Sequence, residues 1–203
     1  MNKRTNVRWL TQLALLVAIL LVMNYTPLGY LQIGPLSASL LTVPVAIGAM
    51  TMGPTAGAIL GAVFGATSFI QAVEGKSALS AALFSASPVG TFVVCVVSRV
   101  LMGLCTALLF QALCKVLPKF PKFCCFAGGL IAPVLNTVFF MGSLVLIFYN
   151  IDYVQNLAQS LGAGNALMFI VLCVGVQAII EWVICCLVAG AVTLPVRKFL
   201  KLN

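Results

Sequence analysis

Four polar side chains interrupt otherwise apolar runs: Arg99, Asn136, Gln177 and Glu181. Arginine presents a planar fork of donors that matches a carboxylate. Asparagine and glutamine supply both donors and acceptors, and a carboxylate accepts from hydroxyls and amides. Gln177 precedes Glu181 by one helical turn, so the two share a helix face. Ionisable groups at membrane depth cost roughly 2.5–3.5 kcal/mol each on the translocon scale, and they commonly mark a ligand or ion path. The set suits a small polar molecule, with one carboxylate for Arg99. A structural Arg99–Glu181 pair that only ties helices together is the competing reading. Placement of three helices' polar groups at one depth favours a site.

The elements that must position these residues are membrane spans. Of 203 residues, 63% are hydrophobic, 7% are charged and none is histidine, which excludes a soluble single domain. No Asp, Glu, Lys or Arg occurs between Trp9 and Val73. A transmembrane helix takes roughly 20 apolar residues, leaving room for about six spans and no separate aqueous domain. Breaks rich in Gly, Pro and polar residues place the spans at about Trp9–Met23 and Leu36–Met52, then from the turn Gly53-Pro54-Thr55 to about Ala72, and at about Val89–Cys114, Cys124–Tyr149 and Asn165–Thr193. Leu28–Pro35 and the serine-rich Val73–Pro88 read as loops. The expected fold is all-α, one domain over 1–203, with six transmembrane helices.

Basic residues orient this arrangement. Lys3, Arg4 and Arg8 precede the first span, Lys115, Lys119 and Lys122 separate the fourth and fifth, and Arg197, Lys198 and Lys201 follow the last. With six spans all nine fall on one side, which the positive-inside rule makes cytoplasmic, together with both termini. An odd number of spans would break that agreement. The apolar run after Arg8 ends in Val22-Met23-Asn24-Tyr25, without a small-residue cleavage signal, so it reads as a retained span.

Other chemistries find little support. The eight cysteines form no CxxC pair and lack a histidine partner, so they read as small buried hydrophobes; no metal and no cofactor is expected. Gly75-Lys76-Ser77 imitates the end of a phosphate loop, but Ile70 stands where the first glycine belongs. With Glu74, Asp152 and Glu181 as the only acids, acid–base catalysis lacks partners. The net charge of +8 is explained by topology, not by nucleic acid. Gly53, Gly57, Gly61 and Gly65 line one face of the third span, and Ala14 and Ala18 form a similar small pair on the first.

In these features the chain resembles the substrate-binding S components of energy-coupling factor (ECF) vitamin transporters. The resemblance rests on Ala14-x-x-x-Ala18, Thr26-Pro27-Leu28-Gly29-Tyr30 through Ile33-Gly34-Pro35, Pro44–Gly48, Gly53-Pro54-x-x-Gly57, Gly61-x-x-x-Gly65, Ser98–Leu101 with Gly103, Asn136–Phe140 and Glu181. It implies a six-helix protein of the bacterial cell membrane that binds a vitamin from outside. It further implies a membrane coupling subunit and two cytoplasmic ATPases as partners, with Ala14 and Ala18 facing the coupling subunit. The chain is most similar to the pantothenate-type branch, whose ligand's carboxylate, amide and hydroxyls suit Arg99, Asn136, Gln177 and Glu181. Relatives take riboflavin, folate or queuosine precursors; a secondary transporter or a membrane enzyme are the more distant alternatives. A midplane site must be shut from the outside, and the Tyr25–Pro35 segment is expected to do this. Gly29 and Gly34 free its backbone while Tyr25 and Tyr30 supply amphipathic rings.

Overall fold

The computed structural model describes residues 3–26, 29–33 and 36–200. Its order is α1 (Lys3–Tyr25), a hairpin of β1 (Tyr30–Ile33) and β2 (Leu36–Ser39), α2 (Thr42–Met52), α3 (Pro54–Val73), α4 (Ala78–Ala86), α5 (Pro88–Phe92), α6 (Ser98–Val116), α7 (Pro121–Phe148), α8 (Asp152–Ser160) and α9 (Ala166–Leu200). A π turn at Val93–Val97 joins α5 to α6, making one rod from Pro88 to Val116. Five of these helical stretches are long and apolar enough to cross a membrane.

The structure corrects three expectations. The second apolar run is not one helix. Its first part is the strand Leu36–Ser39, and only Thr42–Met52 is helical. Pro44 explains the late start: it lacks the N–H that a longer helix would need to reach back to Leu40, whereas a first-turn proline is tolerated. Second, the expected loop at Leu28–Pro35 contains β1, whose antiparallel register places Tyr30 opposite Ser39 and Ile33 opposite Leu36. Third, Val73–Pro88 is not a bare loop. Leu79 and Leu83, one turn apart, bury the inner face of α4. Between the fifth and sixth expected spans lies a further short helix, α8, which buries Val154 and Ala158.

Contacts at the helix ends sort the molecule into two poles. At one, Gln71 Nε2 donates to Asn24 Oδ1 at 3.0 Å, joining the end of α1 to that of α3. At the other, Arg197 Nη1 donates to the Met50 carbonyl at 3.0 Å, and its guanidinium lies 5.0 Å from the Phe110 ring. The chain therefore passes from the Asn24 pole to the Met50 pole through the hairpin and α2. Eleven residues of helix rise about 16 Å, half of a hydrocarbon core roughly 30 Å thick. The hairpin returns on itself, with Leu40 N–H donating to the Gly29 carbonyl at 3.0 Å, so the net advance is made by α2.

Two apolar clusters stack along this axis. One gathers Leu41, Val45, Met50, Leu60, Phe64, Met102, Phe110 and Cys185 toward the Met50 pole. The other gathers Leu79, Leu83, Val94, Leu144, Phe148, Val154 and Phe169 beneath α4 and α8. The four polar residues singled out above lie at the seam between them.

Candidate functional site

Glycines bring α3 against the backbone beside Arg99. A β-carbon at Gly61 would strike the Arg99 carbonyl, one at Gly57 the Gly103 carbonyl, and one at Gly65 would come within 2.6 Å of the Val96 Cα. The expected packing role of this stripe holds for these three positions. Gly53 differs: it sits in the turn between α2 and α3 at φ +90°, a conformation that favours glycine.

The π turn prepares the other side of Arg99. Widening the ladder leaves carbonyls that α-helical spacing would satisfy. Ser98 N–H bonds back to the Val93 carbonyl, and Arg99 Nη1 donates to Cys95 O at 3.0 Å and to Val94 O at 3.5 Å. Ser98 Oγ reaches the Phe139 carbonyl at 3.2 Å and Ser143 Oγ at 3.1 Å, tying the rod to α7. The Arg99 guanidinium carbon lies 4.4 Å from the Phe64 ring centroid and 4.9 Å from that of Phe140. Such contacts stabilise a desolvated cation by roughly 2 kcal/mol. Its Nε remains buried without a partner.

Glu181 is held from elsewhere. Its Oε2 accepts from Ser39 N–H at 3.4 Å and its Oε1 from Thr42 Oγ1 at 3.3 Å. Thr42 Oγ1 also points to the Ser39 carbonyl at 3.0 Å, so one hydroxyl proton serves two acceptors. The carboxylate thus sits at the corner where the hairpin becomes α2, near the electropositive end of that helix. Among the described residues Arg99 and Glu181 form no ion pair; the salt bridge there is Lys76–Glu74 at 2.8 Å on the surface. The purely structural pair is therefore not what holds the seam.

Arg99, Gln177 and Glu181 are 7%, 9% and 4% exposed, so the polar layer is closed to solvent in this conformation. Asn136 is half-buried, one turn before Phe140, whose ring contacts Arg99. Asn136 Oδ1, Gln177 Oε1 and Ser39 Oγ are, like Arg99 Nε, buried without a hydrogen-bond partner. Each such group costs about 1–3 kcal/mol when left unsatisfied. Counted from the pole of α4 and α8, Arg99 lies eleven residues below Pro88, Asn136 twelve from Phe148 and Gln177 eleven from Ala166. All are about 17 Å deep at 1.5 Å per residue. The layer offers donors on one flank and unfilled acceptors on the other. A separate cavity of about 280 Å³ between α7 and α9 is lined by Leu130, Ile179, Trp182, Val183, Cys186 and Leu187. It has almost no polar surface with which to orient such a molecule.

Ser39, Thr42, Phe64 and Phe140 belong to this neighbourhood without having been singled out in the sequence. The hint was available for two of them, since Ser39 and Thr42 are polar interruptions of an apolar run just before Pro44. The remaining expected residues lie elsewhere. Tyr25 is 68% exposed at the Asn24 pole, with Lys76 Nζ 5.6 Å from its ring centre. Tyr30 is in β1, paired with Ser39. Gly34, with Pro27 and Pro35, lies outside the described residues. Ala14 and Ala18 are exposed on α1, while Leu13 and Leu20 of the same helix are buried.

The sequence profile of a protein family described as ECF transporter, substrate-specific component, matches residues 8–192. The chain belongs to this family. No curated protein matches it in sequence. As a substrate-specific component it is a multi-pass membrane protein and a transport subunit for uptake of a vitamin-type substrate, not an enzyme. Membership also implies association with membrane and ATPase subunits.

Proposed function

We propose that this substrate-specific component captures pantothenate at the seam between its two apolar clusters. One observation carries the reading: buried polar groups of α6, α7 and α9, with unfilled hydrogen-bonding capacity, fall at a common depth along their helices. Arg99 takes the carboxylate, Asn136 and Gln177 take the amide and hydroxyls, and Glu181 accepts from a hydroxyl when the hairpin corner lets go of it. The aromatic rings of Phe64 and Phe140 keep the guanidinium flat and dry.

The chain crosses a bacterial plasma membrane six times with both termini cytoplasmic, the second crossing being made by the hairpin and α2 together. Nine of the eleven cations then lie inside, which supports this orientation. The Tyr25–Pro35 segment acts as the outer gate; Ser39, at the end of the β2 strand that follows it, donates its N–H to Glu181 at 3.4 Å. Ala14 and Ala18 meet a membrane coupling subunit, and their exposure on the least buried of the five long helices supports that role. Two cytoplasmic ATPases supply the energy.

Mass spectrometry of small molecules released from the purified chain, followed by titration calorimetry with pantothenate, tests the ligand. Release of riboflavin, folate or a queuosine precursor would reassign the branch. In proteoliposomes, accumulation should require the partner ATPases and internal ATP; concentrative uptake by this chain alone on an ion gradient would make it a secondary transporter.

A further inference from the structure

At the Met50 pole the chain ends in a rim that the transport reading does not use. The α6–α7 turn alternates cations with apolar groups: Lys115, Val116, Lys119, Phe120, Lys122 and Phe123, all exposed. Arg197 bridges α9 to Phe110 of α6 and to Met50, which brings Lys198 and Phe199 to the same end of the bundle. The four apolar members, Val116, Phe120, Phe123 and Phe199, are 60% to 82% exposed. Arg197 is spent on the fold; the four lysines take part in no salt bridge among the described residues.

Among the described residues no acidic side chain lies beside them. Of the chain's three acids, Glu74 and Asp152 lie at the opposite pole and Glu181 at the seam. Depth then narrows what neutralises them. Val116 is seventeen residues along the rod from Arg99, and Pro121 fifteen from Asn136. The turn therefore lies about 23–26 Å below the polar layer. With that layer near the midplane, hydrocarbon ends at about 15 Å and headgroups at roughly 20–22 Å. Lysine stems reach back across such a gap with their charge in the headgroup zone. The rim needs a partner that offers negative charge and an apolar edge at one level. A free anion would meet the lysines but leave the phenylalanines uncovered.

We propose that the α6–α7 turn, with the adjoining end of α9, binds anionic phospholipids of the leaflet it faces. Lys115, Lys119, Lys122 and Lys198 hold the headgroup phosphates, while Phe120 and Phe123 pack against the glycerol and headgroup region. The inference rests on the chain spanning a membrane with the polar layer near its midplane, and is independent of which vitamin it carries.

The test uses the full chain in nanodiscs of phosphatidylcholine with a minor share of phosphatidylglycerol, and native mass spectrometry of the lipids that stay bound. Wild type should retain phosphatidylglycerol roughly fivefold above its bulk share. The triple variant Lys115→Gln, Lys119→Gln, Lys122→Gln should fall to the bulk share, whereas Lys76→Gln at the far pole should behave as wild type. Phe120→Ser with Phe123→Ser should lower retention without changing the salt dependence. Should the triple variant melt early, Lys119→Gln alone should still lose roughly half the enrichment, and rising salt should remove it from wild type. Bulk-share retention by wild type, or enrichment that survives the triple variant, would overturn the proposal. So would displacement by inorganic phosphate at an ionic strength at which chloride leaves the enrichment intact, which would reduce the rim to a free-anion site. Unchanged lipid preference with lost uptake in the triple variant would make the rim a protein-docking surface instead.

Discussion

The two apolar clusters are built differently. The one toward the Met50 pole is backbone against backbone: Gly57 and Gly103 approach so closely that neither has room for a β-carbon, and Gly128 is met by Met50 and the Phe110 ring. The one beneath α4 and α8 is side chain against side chain, with Leu79 and Leu83 of one short helix and Val154 and Ala158 of another laid over Leu144 and Phe148. Long helices joined at glycines have one register and little freedom to slide. Nine-residue helices resting on a few apolar anchors can lift without breaking the rods below. Arg99 is anchored by backbone packing of the first kind, whereas Glu181 is held by hydrogen bonds from Ser39 and Thr42, at a corner beside Leu41 of that same cluster. The seam thus has one fixed flank and one movable flank.

Gly61→Leu is the harshest way to break that contrast. Its side chain would meet the Arg99 carbonyl, which cannot swing aside as a side-chain tip would. Loss of about 3 kcal/mol of stability and of pantothenate binding is expected, measured by thermal melting in nanodiscs and calorimetry. Normal melting with normal affinity would show that the glycine face does not set Arg99.

Next in size is Arg99→Lys. Exchange of a two-pronged donor for a point charge should cost about 2–5 kcal/mol in binding, roughly thirtyfold or more, with melting little changed. Equal affinities would remove Arg99 from the carboxylate's path.

Thr42→Val sharpens the comparison on the movable side. It removes one of the two donors that Glu181 must release on binding, so stability should fall by about 1 kcal/mol while pantothenate affinity does not fall. Amide hydrogen exchange should quicken over residues 29–41 and not over α3. A uniform rise would place the corner within the rigid half.

The smallest effect on binding is expected for Ala14→Trp, on a face turned away from both clusters. Pantothenate affinity of the isolated chain should be unchanged, while uptake by the assembled transporter falls. A parallel fall in both would assign this face to the fold.

Much of this was legible because membrane helices announce themselves by length. The run Val89–Cys114 lies within the helix found at Pro88–Val116, and Cys124–Tyr149 overruns the helix at Pro121–Phe148 by one residue. Arg99, Asn136, Gln177 and Glu181 were visible for the opposite reason, as polar groups where lipid-facing or buried positions should be apolar. What stayed hidden depends on distant partners. Ser39 and Thr42 look like ordinary turn residues until a carboxylate more than 130 positions away meets them. The strands were missed because four-residue segments beside glycine and proline carry too little pattern to distinguish from a loop. Helix α4 was missed because its serines were weighed above the Leu79–Leu83 spacing that buries it.

The π turn at Val93–Val97 makes this rod sensitive to its residue count as well as to its residue types. Deleting any one of those five residues would let the ladder close into ordinary α-helix. Everything on the Pro88 side would then rotate by about 100° and draw in by about 1.5 Å relative to Arg99. Gly90, now seated against the Phe148 ring, would be replaced at that contact by a neighbour with a side chain. Substitutions among the five valine and cysteine positions should be absorbed; a single-codon deletion should not.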